Sequence, residues 1–301
     1  MSKINLYFQT FRLRTLPLSM SSIVLGIMMA AVNGFFNLGV CILTVITTLF
    51  LQILCNIANE LGDAQKGTDT ADRQGPAYVL TSGALTEKDF YHLIYTFVAL
   101  SCISGLILLW LASVNISGIY IWLMLALGTF AIVAAIFYTM GKRPYGYRGF
   151  GDISVFIFFG LLGTLGSYFL QAGNVELEII LPASACGLLS VGVLNVNNIR
   201  DMETDSKNRI TIPILLGETK AKIYHTILIV GGQLCFVTYN IVKCETSLKA
   251  YMYLFMLPIF IFHIISVWKL SGKALDKQLP LLVISTLIEC LAFGGSWMLL
   301  H

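Results

Sequence analysis

The sequence predicts an all-α membrane protein with nine transmembrane helices, its N-terminus cytoplasmic and its C-terminus outside. Three observations carry that expectation: an apolar composition, a set of long charge-free stretches, and a one-sided distribution of lysine and arginine. Of 301 residues, 57% are hydrophobic and 12% are charged, and the mean hydropathy is +0.81. A soluble domain carries about 25% charged residues. A soluble fold of this composition would expose large apolar patches. A soluble globular protein, a disordered chain and a secreted disulfide scaffold are therefore excluded. The net charge of +3 gives no reason to expect a nucleic-acid partner. Seven scattered cysteines form no CxxC pair, so neither a zinc site nor a disulfide framework is expected.

A helical span needs about 20 mostly apolar residues. Residues 15–59 hold no charge, enough for two helices with a break near Asn33 and Gly34. Residues 90–141 give two more, broken between Asn115 and Gly118. Residues 153–175, 179–199, 223–242 and 250–268 give one each. The last span runs from about residue 279 to the C-terminus and holds one acid, Glu289, for which no partner can be named. These spans must be helical because every backbone polar group needs an internal partner in lipid. No segment between them is long enough for a second domain, so residues 1–301 are expected to form a single integral-membrane domain.

Lysine and arginine favour the cytoplasmic side. With nine spans and a cytoplasmic N-terminus, 17 of the 19 basic residues fall inside, and only Lys243 and Lys249 fall outside. That split supports both the count and the orientation. The acids concentrate in segments 60–89 and 200–222, also inside. An active site is expected at the cytoplasmic side.

The second span ends in CNIANELGDAQKGTDTADRQGP. Asn56, Asn59, Glu60 and Asp63 stand at i, i+3, i+4 and i+7, on one helical face. Asp69 and Asp72 follow in the loop. Oxygen donors clustered in this way suit Mg²⁺, which takes one or two carboxylates and shares its other positions with water and substrate phosphates. The sixth span ends in VLNVNNIRDMETDSKNRITIPILLGE. Here Asn197, Asp201 and Asp205 stand at i, i+4 and i+8, and Asn198 joins from the adjacent edge. Arg200, Lys207 and Arg209 interleave with them. Both spans run toward the cytoplasm, so the two clusters can face each other. Together they describe a metal–diphosphate clamp, in which acids hold Mg²⁺ and cations grip the remaining oxygens. A diphosphate so held is a good leaving group, because its developing charge meets fixed cations.

These motifs resemble a known family. N-x-x-N-E-x-x-D-x-x-x-G-x-D, from Asn56 to Asp69, and N-N-x-R-D-x-x-x-D, from Asn197 to Asp205, are similar to the two Asp-rich motifs of the UbiA superfamily of nine-helix intramembrane aromatic prenyltransferases. R-L-R-T-L-P-L-S from Arg12, D-R-Q-G-P from Asp72, T-S-G-A-L-T from Thr81 and G-F-G-D-I-S-V-F-I-F-F-G from Gly149 resemble its 1,4-dihydroxy-2-naphthoate branch. The similarity covers residues 10–220, and the last three spans match only as apolar spans. Glu60 stands where the family motif usually has Asp. Gly67 stands where the wider superfamily has a further acid, and Asp69 looks like its replacement.

The resemblance implies a UbiA-type bundle in the cell inner membrane, with Mg²⁺ as cofactor and polyprenyl diphosphate and 1,4-dihydroxy-2-naphthoate as substrates. The polyprenyl tail would lie in a lipid-open apolar channel. The C–O bond would ionise to an allylic cation, a ring carbon would attack it, and loss of carbon dioxide would give demethylmenaquinone in its reduced, quinol form. Asp63, Asp69, Asp201 and Asp205 are then the expected catalytic acids, and with Asn59 and Glu60 the expected metal ligands. Asn56, Asn197, Asn198, Arg73, Arg200 and Lys207 are expected to hold diphosphate, as are Lys142 and Arg143. Arg148, Asp72 and Tyr138 are the candidates for acceptor binding. Arg12 and Arg14 read as membrane anchors, and Asp152 as an acid suited to a helix N-terminus. Two other readings stand beside this one. The first is a UbiA-type enzyme for another aromatic acceptor, such as 4-hydroxybenzoate. The second is a transporter, against which the placement of the acids at span ends argues. Nothing in the sequence sets the prenyl chain length or the oligomeric state.

Overall fold

The computed structural model describes residues 3–67 and 79–301, which are helical throughout apart from their connections. Among the described residues, nine helices are long and apolar enough to cross a membrane. They are α1 (Lys3–Val32), α2 (Leu38–Gln65), α3 (Glu87–Ala112), α4 (Gly118–Phe137), α5 (Gly151–Ala172), α6 (Leu177–Arg200), α7 (Glu218–Val242), α8 (Leu248–Lys269) and α9 (Gly272–Met298).

The helix starts follow local chemistry. Asn37 caps α2 by accepting the Val40 N–H at 3.1 Å. Thr86 and Asp89 form a reciprocal capping box at the start of α3. α1 begins earlier than its charge-free stretch and is interrupted. A short helix at Lys3–Thr10 ends where Arg12 adopts a left-handed φ of 49°, and the main helix restarts at Leu16 with Pro17 in its first turn.

α6 lies at the centre of the bundle, with 72% of its apolar window buried, whereas α4 lies at the edge, with 6%. Leu25, Tyr168, Leu189, Phe236 and Phe293 form the central core, joining α1, α5, α6, α7 and α9. A second core of Leu54, Leu61, Phe90 and Phe97 joins α2 to α3. The outer faces of α3 and α4 carry Trp110, Ile119 and Trp122 exposed, as suits contact with lipid tails. α5 contains a π-helical turn at Ile157–Leu162. There it meets α6 backbone to backbone: a Cβ added to Gly160 would lie 2.5 Å from the Gly187 Cα.

The two ends of the bundle differ. At one, the Asn33 amide donates to the Tyr168 hydroxyl at 2.7 Å and to Glu176 at 2.9 Å, while Lys243 pairs with Glu176 at 2.8 Å. These contacts tie α1, α5, α6 and α7 together. At the other end lie the start of α5, the C-termini of α2, α4 and α6, and the 138–150 and 201–217 connections. The acidic clusters are found there.

Candidate active site

Two cavities meet inside this end. One, of about 500 Å³, is enclosed by the first five helices and is lined mainly by apolar groups such as Leu51, Leu106, Met124, Phe158 and Leu162. The other, of about 140 Å³, is lined by polar groups including Arg12, Asn59, Asp63, Asp152, Asn197, Asn198 and Arg209. Asn59, Tyr138 and Leu194 line both and mark their junction.

The acidic face of α2 divides into two edges. Asn59 and Asp63, one turn apart, face the polar cavity. The Asn59 amide oxygen is set by the Thr139 hydroxyl at 3.2 Å, which also donates to the Ala58 carbonyl at 3.0 Å. Asp63 accepts a short hydrogen bond from the Tyr147 hydroxyl and lies 3.6 Å from Arg209. The other edge, Asn56 and Glu60, packs against the chain. The Asn56 amide donates to the Phe11 carbonyl and the Thr15 hydroxyl, at 2.9 and 3.0 Å. Glu60 is fully buried; one oxygen accepts the Val79 and Leu80 N–H groups at 2.7 and 3.0 Å, and the other lies 4.0 Å from Arg12.

On α6, Asn197 and Asn198 line the polar cavity. Asp201 does not. The helix ends at Arg200, and the Asp201 carboxylate is gripped by that guanidinium through Nε at 2.9 Å and Nη2 at 2.6 Å. Arg200 is 3% exposed and also donates to Asp276 and to the Asn197 side chain. Asp205 lies 3.3 Å from Arg209. Arg209 thus joins the two clusters, with Asp63 on one side and Asp205 on the other. Burial works against its charge, but the two carboxylates more than offset this and raise its pKa.

Two connections far apart in sequence place Arg209. Ile210 donates its N–H to the Tyr147 carbonyl at 2.9 Å, which pairs the 145–148 turn with the 206–211 loop. The Arg209 guanidinium then sits 4.9 Å from the centre of the Tyr147 ring. Tyr138 is cradled at the cavity junction, where a Cβ on Gly151 would lie 2.9 Å from its hydroxyl. Burial raises the pKa of the Tyr138 phenol, so it is neutral.

The structure places the expected site residues in different surroundings. Glu60 faces the 79–80 turn and Arg12 rather than the cavity, because the i+4 step from Asn56 follows the edge of α2 that meets the N-terminal segment. Asn56 lies on the same edge, against Phe11 and Thr15. Arg200 and Asp201 satisfy each other. Lys142, Arg143, Arg148 and Lys207 are exposed and lie outside the cavity lining. Asp69, Asp72 and Arg73 lie outside the described residues. Three groups in or beside the cavity were not picked out as site residues by sequence reasoning. Arg12 and Asp152 line it, and Arg209 bridges the clusters. The i+4 spacing of Asp205 and Arg209 was the available signal for the last.

Glu60→Ala is expected to cost about 1–3 kcal/mol, because the Val79 and Leu80 N–H groups lose their acceptor and Arg12 loses a nearby carboxylate. Thermal melting checks the loss. The Mg²⁺ concentration for half-maximal activity should not move, and a shift there would return Glu60 to the metal ligands.

The donors in the cavity suit a hard divalent cation. Asn59, Asp63, Asn197 and Asn198 offer amide and carboxylate oxygens, and Asp205 stands across Arg209 from Asp63. No three His, Cys, Asp or Glu side chains converge on a point among the described residues. Mg²⁺ needs only one or two carboxylates when substrate phosphates supply the rest.

A model of the UbiA prenyltransferase family matches residues 19–286. The chain is 40% identical to the 1,4-dihydroxy-2-naphthoate octaprenyltransferase of Escherichia coli, over 86% of this chain and 84% of that protein. It is 41% identical to the protein of the same name from Haemophilus influenzae, over 88% and 86% respectively. A UbiA homolog from Archaeoglobus fulgidus bound to GPP and Mg²⁺ aligns over 96% of this chain and 98% of its own, with a TM-score of 0.67 and 16% identity, a likeness of fold.

Proposed function

Since the chain belongs to the UbiA prenyltransferase family, we propose that it transfers a polyprenyl group from polyprenyl diphosphate to 1,4-dihydroxy-2-naphthoate, with loss of diphosphate and carbon dioxide. The observation that carries this reading is the junction of a long apolar cavity with a small polar one holding Asp63 and Arg209. An isoprenoid tail needs the first, and a diphosphate with its metal needs the second. The choice of acceptor rests on the two relatives at 40% and 41% identity that carry the naphthoate name.

Asn59, Asp63 and Asp205 are the residues that would hold Mg²⁺, with Asn197 and Asn198 beside them. Bound there, the metal supplies positive charge to the leaving diphosphate. Arg209 adds fixed positive charge at the same place. The aliphatic wall keeps water from the allylic carbon, and Tyr138 presents a neutral ring at the junction where that carbon would lie. The distribution of lysine and arginine supports a site at the cytoplasmic face of the inner membrane.

The test is turnover by the purified protein in detergent. A polyprenyl diphosphate is supplied with 1,4-dihydroxy-2-naphthoate or 4-hydroxybenzoate, each with Mg²⁺ or EDTA. Prenylation of the naphthoate alone, with carbon dioxide released and activity abolished by EDTA, is expected. Prenylation of the benzoate instead would overturn the acceptor, and equal rates in EDTA would overturn the role of the metal.

A further inference from the structure

The carboxylates around the polar cavity are not equivalent. Asp63 and Asp205 share Arg209, Asp201 is gripped by Arg200, and Glu60 faces Arg12. Asp152 differs from all of them. It is 8% exposed and lines the cavity one residue after the start of α5. Among the described residues it has no ion-pair partner. What holds it is a neutral phenol: the Tyr224 hydroxyl on α7 donates to Oδ2 at 3.0 Å. One carboxylate oxygen is thereby fixed in direction, and the other has no hydrogen bond recorded among the described residues.

Prenyl transfer to a dihydroxynaphthoate has a need that the diphosphate clamp does not meet. The ring attacks faster as its hydroxyl loses a proton, and that proton requires an acceptor within hydrogen-bond reach. A carboxylate already neutralised by a guanidinium is a weak base. Asp152 is the cavity carboxylate that no guanidinium pairs with among the described residues. Its chain neighbour Gly151 packs against Tyr138 and Leu194, two residues of the junction where ring and allylic carbon must meet. Resting on the reaction proposed above, we propose that Asp152 is the general base that accepts the acceptor's hydroxyl proton, with Tyr224 as its positioning residue.

The step balances without any further reagent. The ring hydroxyl beside the carboxylate gives its proton to Asp152. A bond forms between the allylic carbon and the ring carbon that carries the carboxylate, while the C–O bond to diphosphate breaks and its electron pair leaves with the phosphate. Carbon dioxide then departs and its bonding pair returns to the ring. The oxygen takes the proton back from Asp152, leaving the carboxylate ready for another turnover. The titratable groups that line the cavity with Asp152 are Tyr138, Asp63, Arg12 and Arg209, and Tyr224 reaches it from α7. The two tyrosines are neutral and the two arginines charged near neutral pH, and the charge of Asp63 is matched by Arg209.

The experiment uses the full-length protein in detergent with Mg²⁺, polyprenyl diphosphate and dihydroxynaphthoate, with wild type in the same assay. A wild type that does not prenylate the naphthoate overturns the proposed reaction and this role with it. If wild type is active, Asp152→Asn, which keeps the shape and the Tyr224 contact, is expected to lower kcat by about 10²- to 10⁴-fold. The KM for polyprenyl diphosphate should be unchanged, and the deficit should shrink as pH rises and the acceptor ionises unaided. Tyr224→Phe, which leaves the carboxylate in place, should lose less than about tenfold. A kcat for Asp152→Asn within threefold of wild type overturns the role. So does a loss that is independent of pH and matched by weaker diphosphate binding. Should the Asn variant not fold, Asp152→Ala with added formate replaces it: return of turnover with formate supports the base, and none overturns it.

Discussion

Asp63→Asn is expected to lower turnover by on the order of 10³-fold while leaving membrane insertion and melting close to wild type. Asn fills the same space and can still accept the Tyr147 hydroxyl, so little packing is lost. What is lost is the negative charge at the point where α2, the 145–148 turn and the 206–211 loop converge. Among the described residues Arg209 then keeps only Asp205 as its countercharge, and the cavity lined by Asn59 and the two α6 asparagines loses a carboxylate. Two readouts separate the causes. The Mg²⁺ concentration for half-maximal rate should rise steeply, because amide oxygen is a poorer ligand than carboxylate. Melting in detergent should shift little. Wild-type turnover at wild-type Mg²⁺ would remove the metal–diphosphate clamp from the proposal.

Arg200→Ala is expected to fail in a different way, by destabilising the fold by about 3–5 kcal/mol. Its guanidinium is buried, and it holds Asp201, Asp276 and Asn197 at once. Removing it leaves the Asp201 charge buried at the end of α6 without its ion-pair partner. The yield of folded protein and the melting temperature should both fall, and Asp201→Ala should do the same from the other side of the pair. Sequence reasoning assigned Arg200 to the diphosphate. If the variant melts like wild type and shows only a raised requirement for polyprenyl diphosphate, that assignment is restored.

The contrast between these two variants marks where sequence reasoning stopped. Asp63 and Asp201 carry the same chemistry at the C-terminal ends of α2 and α6 and read alike in one dimension. Helical spacing sets the angle at which a side chain leaves its axis, but not which neighbour fills that angle. On α2 the same stripe of four residues meets the cavity along Asn59 and Asp63 and the N-terminal segment along Asn56 and Glu60. On α6 the helix ends at Arg200, which turns Asp201 back onto its own neighbour. Cations are harder still. Arg209 reaches Asp63 only because the loop after α6 pairs with the turn after α4, and Asp152 reaches the cavity only because α5 starts beside Tyr138.

The number of spans and their positions were legible in the chain alone, because burial in lipid imposes a minimum apolar length and a satisfied backbone on each. The polar end of the bundle was legible for the same reason, since charge cannot be scattered cheaply through lipid. The partner of each charge was decided only in three dimensions. Ion pairs act over a few ångströms, while the residues that form them here stand up to about 146 positions apart, as Asp63 and Arg209 do.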